Sequence, residues 1–179
     1  MNIKTILICM FFLFSCSTST KESIKNIKGN GVFVQKISVS DLDEIISSGD
    51  FTIIYCWGTW CSPCLTTLGS EINNILDTLN NERIKIIPIC IGGNEEKSLE
   101  VLKKIKFKYG SYLFSKTGNS LDKYFMNDML KQLFPNYKKQ NYLPLVLLVD
   151  KNKNIINFNK DEDDYLSFLE SLLSLKNHL

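Results

Sequence analysis

Cys61 and Cys64, separated by Ser62 and Pro63, are the side chains whose type and spacing could best do chemistry in this chain. They follow the apolar run Phe51 to Trp57 and precede a helical stripe, which puts both thiols at a junction of strand and helix. In the first turn of a helix, unpaired backbone N–H groups and the positive end of the dipole favour thiolate over thiol. The thiolate is the species that attacks a disulfide, and a second thiol this close can resolve the mixed disulfide so formed. The spacing therefore points to thiol–disulfide exchange. Other uses of a CxxC compete with it. A zinc site would need a second Cys/His pair, but the remaining cysteines are Cys9, Cys16, Cys56 and Cys90, none of them in a CxxC, and the only histidine is His178. Covalent haem attachment would need His directly after Cys64, where Leu65 stands. No metal ligands are assigned, and a purely structural Cys61–Cys64 disulfide stays open.

Lys4 followed by the apolar stretch Ile6 to Phe14 has the length of a signal-peptide core and falls short of the roughly 20 residues of a membrane-spanning helix. The stretch ends in Leu13-Phe14-Ser15-Cys16, which resembles the bacterial lipobox, with Phe14 bulkier than usual. Residues 1–15 are therefore expected to be a lipoprotein signal peptide and Cys16 the lipidated residue. The alternative is ordinary cleavage near Ser15 with Cys16 left free. Residues 16–37 are read as a tether and N-terminal extension, and 38–179 as one domain. With 21 Lys and Arg against 19 Asp and Glu and no basic cluster, nucleic acid is not an expected partner. Export also gives the CxxC a context, because compartments outside the cytosol make and shuffle disulfides.

The elements that must position the thiols can be read from periodicity. Val39 to Ser48 has Leu42, Ile45 and Ile46 at helical spacing; Phe51 to Trp57 is a continuous apolar run, as expected of a strand buried on both faces. Leu65, Leu68, Ile72, Ile75, Leu76 and Leu79 share one helical stripe that ends at Asn80-Asn81, and Ile84 to Ile91 gives a second buried strand. The sum is a βαβ unit. Asn94 is a candidate cap for a helix opening with Glu95 and Glu96 and carrying Leu99, Leu102 and Ile105 inward. Leu145 to Val149 and Ile155 to Phe158 read as a hairpin, and Asp161 to Lys176 as a closing helix with Leu166, Leu169, Leu172 and Leu173 on one face.

This order resembles the thioredoxin fold, and two blocks narrow the resemblance. Cys56-Trp57-Gly58-Thr59-Trp60-Cys61-Ser62-Pro63-Cys64 and Leu143-Pro144-Leu145-Val146-Leu147-Leu148-Val149-Asp150 are similar to the two signatures of TlpA/ResA-like thiol–disulfide oxidoreductases. The resemblance covers roughly residues 38 to 175. It implies an α/β, thioredoxin-like fold with a central mixed β-sheet flanked by helices and a helical insertion before the strand opened by a cis-proline. Carried over by position, Cys61 is the attacking thiolate, Cys64 the resolving thiol, Trp60 an aromatic shoulder and Pro63 a stiffener of the CxxC. Leu143 and Pro144 would form the wall against a bound chain, since a cis X–Pro bond is accessible at about 0.5–1 kcal/mol and proline donates no N–H. The redox-active disulfide would be the only redox group, with no added cofactor. Expected partners are cysteine-bearing exported proteins, a membrane electron-transfer partner and the membrane itself through the lipid anchor. Expected placement is the bacterial cell envelope, facing the periplasm. A reductase role like that in cytochrome c maturation is preferred, with a disulfide-forming oxidase or isomerase, or a non-catalytic binding module, as alternatives.

Two positions depart from the pattern. Thioredoxins carry a buried carboxylate six residues before the first cysteine, where Tyr55 stands here. ResA-like reductases often carry glutamate three residues after the second, where Thr67 stands. Water or Glu71 could then take the Cys64 proton. Cys56 and Cys90, on neighbouring strands, read as small core residues or as a second disulfide. Gly92-Gly93-Asn94 reads as a turn rather than a phosphate loop. Leu121, Tyr124, Phe125, Met129, Leu133 and Phe134 read as a core-facing helix or as an aromatic, Met-bearing lip that selects partners, and Asn136 to Asn141 as a loop leading to Pro144.

Overall fold

The computed structural model describes residues 24–28, 30–78, 83–114, 122–161 and 163–175. The targeting segment, Cys16, Leu79, Asn80, Asn81, Leu121 and His178 lie outside these residues, and the side chains of Tyr124, Phe125, Leu172 and Leu173 are not described.

Two strands buried on both faces organise everything else. β2 (Phe51–Trp57) and β3 (Ile84–Ile91) run parallel with Tyr55 beside Pro88 and Trp57 beside Cys90. Both occupy their expected bounds, because a run of Ile, Thr, Tyr and Trp that is apolar at odd and even positions fits only a central strand. β5 (Leu145–Asp150) pairs antiparallel with β2, and β6 (Ile155–Phe158) with β5, as the hairpin composition predicts. The sheet is completed on the other side by β4 (Ser111–Phe114) and β1 (Val34–Lys36), giving the order β1-β4-β3-β2-β5-β6.

β1 and β4 correct the sequence reading. Residues before 38 do more than tether: Val34–Lys36 pairs in register with Ser111–Leu113, and Ile27 and Phe33 are buried in the core. At three and four residues these strands are too short to show a period, and fully buried Ser111 interrupts the apolar pattern. The Ser111 hydroxyl accepts the Trp57 indole N–H at 3.0 Å and donates to the Pro88 carbonyl at 3.0 Å.

Helices pack on both faces. α1 (Val39–Ser47) opens with a reciprocal cap in which the Ser38 hydroxyl accepts the Asp41 N–H and the Asp41 carboxylate accepts the Ser38 N–H, an arrangement contributing about 1 kcal/mol. Leu42 and Ile46, one turn apart, are its buried residues. α2 (Ser62–Thr67) begins at the cysteines and continues through a π-turn (Leu68–Ile72) into α3 (Asn73–Thr78). α4 (Glu95–Lys104) is capped by Asn94, which accepts the Lys97 N–H, with acids in its first turn and Lys103 and Lys104 in its last. Its buried positions are Ser98 and Leu102, whereas Leu99 is half-buried. α5 (Asp122–Leu133) supplies the insertion before the proline strand, and α6 (Tyr165–Leu175) closes the fold. α6 starts later than expected because the Asp161 carboxylate is occupied in the preceding turn, accepting the N–H groups of Asp163 and Asp164. Leu169 is buried as expected of the α6 stripe, but Leu166 is exposed and Phe168 takes the inward position. Among the described residues no helix is long and apolar enough to cross a membrane.

Candidate active site

Cys61 and Cys64 are joined as a disulfide with their Cα atoms 5.2 Å apart, at the carboxyl end of β2. Cys61 is the N-cap of α2: its backbone is extended, its carbonyl accepts the Leu65 N–H, and its sulfur lies 3.3 Å from the Cys64 N–H that points at it. Pro63 falls in the first helical turn, where a missing N–H costs nothing. The two sulfurs differ in access. Cys61 retains 8% exposure, while Cys64 is sealed at 0%. An incoming sulfur can reach only the first, and the helix terminus stabilises negative charge on that same atom.

Trp60 is half exposed at 52% and lies over Gly58, where a Cβ would stand 3.0 Å from the indole ring. It is the most prominent apolar surface beside the disulfide, with Ile156 and Leu166 the other exposed large hydrophobic residues among those described. The indole both packs on the chain and presents a face to solvent.

The peptide bond between Leu143 and Pro144 is cis. Register places it: Cys56 lies opposite Leu145 in the β2–β5 pair, so the residues preceding Leu145 continue toward the end of β2 from which Cys61 emerges. The sheet thus brings Trp60, Cys61, Cys64, Pro63, Leu143 and Pro144 to one end of the molecule. Leu143 and Pro144 are buried.

The floor under Cys64 is built from neutral hydroxyls. Tyr55, fully buried, donates its phenolic O–H to the Cys64 carbonyl at 3.1 Å. Burial holds this phenol well above the usual tyrosine range, an effect that the neighbouring Thr67 hydroxyl opposes. Thr67 is itself buried, and no partner satisfies its hydroxyl oxygen in hydrogen-bonding geometry. Tyr55 and Thr67, the two positions where the sequence departs from the pattern it resembles, therefore meet beneath Cys64. Glu71, half-buried in the π-turn and hydrogen-bonded to Ser70, adds charge that further opposes ionisation of Tyr55.

The other two thiols of the domain are separated by the sheet. Cys90 is the parallel partner of Trp57 and Cys56 that of Ile89, so their side chains leave opposite faces. Cys90 contacts the Ser98 hydroxyl and the Gly92 carbonyl on the α4 side. Cys56, with burial pushing its thiol up to about 12, sits on the Tyr137 side. A second disulfide between them is excluded by geometry, and both are core residues. Gly92 and Gly93 form a turn with φ of 85° and 96°, the left-handed region that glycine enters readily. Of the residues read as a core-facing helix or a lip, Met129, Leu133 and Phe134 face the core, as does Met126.

Sequence reasoning missed the polar side chains that hold the proline side of the site. Asn127 of α5 donates to the Gln140 carbonyl and accepts the Gln140 N–H and the Tyr137 hydroxyl, tying the loop before Pro144 to the helix. Asn159, just past β6, bonds the main chain on both sides of Leu145. No periodicity signals either residue; only the folded chain brings them to their partners.

Neither a protein-family model nor a curated protein matches the sequence. Solved structures do. A thioredoxin-related protein from Neisseria meningitidis serogroup B is similar with a TM-score of 0.50 and 15% identity, over 70% of this chain and 87% of that one. A thiol:disulfide interchange protein from Bacteroides sp. is similar with a TM-score of 0.50 and 16% identity, over 73% and 76% of the two chains. The protein has a thioredoxin-like fold. Within that fold its CxxC stands at the end of β2 as a closed disulfide.

Proposed function

We propose that the protein is a thiol–disulfide oxidoreductase that exchanges the Cys61–Cys64 disulfide with cysteines of other exported proteins, working as a reductase in the cell envelope. The observation that carries this reading is the asymmetry of the pair: a reachable Cys61 sulfur facing a helix-terminal N–H, and a sealed Cys64 behind it. In the reduced protein, the Cys61 thiolate attacks one sulfur of a client disulfide, and the other client sulfur leaves as a thiolate that takes up a proton. Cys64 then loses its proton and attacks the Cys61 sulfur, releasing the second client thiolate and closing the disulfide. Two electrons and two protons pass to the client, and a membrane dithiol partner must restore them.

Tyr55 orients the Cys64 carbonyl but holds its own proton too tightly to exchange it near neutrality. The Cys64 proton then passes to water or to the departing client thiolate. Lipidation at Cys16 would keep the exchange at a membrane surface. Likeness of the CxxC and proline blocks to cytochrome c maturation reductases supports the reducing direction.

The test is capture. Cys64→Ser protein expressed in its host should accumulate disulfide-linked adducts on Cys61 containing cysteine-bearing exported proteins, apocytochrome among them for the maturation role. If nothing is captured and Cys61→Ser leaves the cellular function intact, the fold serves as a binding module instead.

A further inference from the structure

We infer that Asn159 is a positioning residue for exchange with extended polypeptides, holding the Leu143–Pro144 wall through hydrogen bonds to the main chain on either side of Leu145. The inference rests on the exchange reading above and adds the side chain that sets the wall's position and the class of substrate that depends on it. Asn159 is fully buried. Its Nδ2 donates to the Pro144 carbonyl at 3.0 Å and to the Asp161 carbonyl at 2.7 Å, and its Oδ1 accepts the Val146 N–H at 2.8 Å. Its backbone N–H reaches the Val146 carbonyl at 3.2 Å, and its own carbonyl accepts the Tyr142 hydroxyl.

The regular β5–β6 ladder ends with Leu147 opposite Phe158. Beyond it, β2 still pairs with Leu145 and Val146 on one edge, and on the other edge the Asn159 backbone N–H and its amide side chain take the place of a continued ladder. An amide is suited to this because it donates and accepts at once, which no hydroxyl, carboxylate or ammonium of similar size does with the same fork. Without it, Pro144 O and Val146 N–H become buried polar groups with no partner on that side, and the wall is free to shift. Such a shift matters to a client whose main chain lies against Leu143. It does not matter to a small disulfide that touches only the Cys61 sulfur.

The experiment compares two oxidised substrates of the reduced full-length protein: a peptide with an internal disulfide, and bis(2-hydroxyethyl) disulfide. Asn159→Ala should lower kcat/KM for the peptide by about tenfold, mainly through KM, and leave the rate with the small disulfide within about twofold. Tyr142→Phe, which removes one bond to the Asn159 backbone, should move the peptide KM in the same direction by about two- to threefold and serves if the alanine variant does not fold. Equal losses on both substrates, or a folded variant with an unchanged peptide KM, overturn the inference. Wild-type protein that exchanges with neither substrate overturns the oxidoreductase reading, and this inference with it.

Discussion

The two sides of the site are built by opposite means. The cysteine side is local: Cys61 caps the helix that contains Cys64, and the N–H that stabilises its sulfur lies three residues along the chain. The proline side is assembled from afar, with Asn127 reaching Gln140 and Asn159 reaching Pro144 and Val146. The local side sets which sulfur reacts. The distant side sets the wall beside it. The cysteine geometry therefore needs only a strand, a cap and a helix turn, whereas the position of the proline wall depends on side-chain amides buried elsewhere in the fold.

The strongest break of this contrast is Cys61→Ser, which should abolish exchange with peptide and small disulfides alike in a stopped assay of product thiols. Next, thiol labelling of the reduced native protein at pH 8 should modify Cys61 rapidly and leave Cys56 and Cys90 unmodified until denaturant is added. Cys56 is buried and its thiol is pushed up to about 12, so its thiolate is scarce there. The same shift has a sign for stability. A thiol that holds its proton more tightly when folded contributes stability fully present below about pH 9, lost as pH rises through about 12. Buried Tyr112 and Tyr137, also raised, act in the same direction. Urea midpoints should therefore fall between pH 8 and pH 10.5, and less steeply in Cys56→Ala.

Smaller effects sharpen the floor beneath Cys64. Tyr55→Phe removes one buried hydrogen bond and leaves the Cys64 carbonyl without that donor, a loss of about 1 kcal/mol. Calorimetry should show a Tm lower by about 2–4 °C, with exchange at the Cys61 sulfur little changed. Thr67→Val should be near neutral or slightly stabilising by the same measurement, because the hydroxyl it removes is buried without a geometric partner. A large loss there would show that the hydroxyl serves Tyr55 more than its geometry indicates.

Legibility followed the same division. β2, β3 and β6 and the cap at Asn94 were readable because an apolar run, hairpin spacing or a cap residue is a local signal. The cis-proline was readable through resemblance, and the structure bears it out. Pro88 sits within central β3 although proline usually avoids such strands; its carbonyl is taken by Ser111 from β4, a contact no local pattern shows. The π-turn was equally hidden. A stripe of Leu and Ile continues across it, and what marks the place is Asn73, which donates to the Gly69 and Lys106 carbonyls and accepts the Lys108 N–H from a distant loop. The Asn73 bonds to Lys106 and Lys108 join residues more than thirty positions apart and leave no periodic trace.

The placement of Cys56 and Cys90 on opposite faces of the sheet has a consequence for how the chain matures. Four cysteines can pair in three ways. A domain with four thiols faces that choice wherever thiols are oxidised as it folds. Once β2 and β3 are side by side, the sheet itself stands between Cys56 and Cys90, and among the described residues the disulfide that forms is Cys61–Cys64. Strand register thus removes one of those three pairings, the one that joins Cys56 to Cys90 and leaves Cys61 with Cys64, as two separate bonds, and keeps the two core thiols apart.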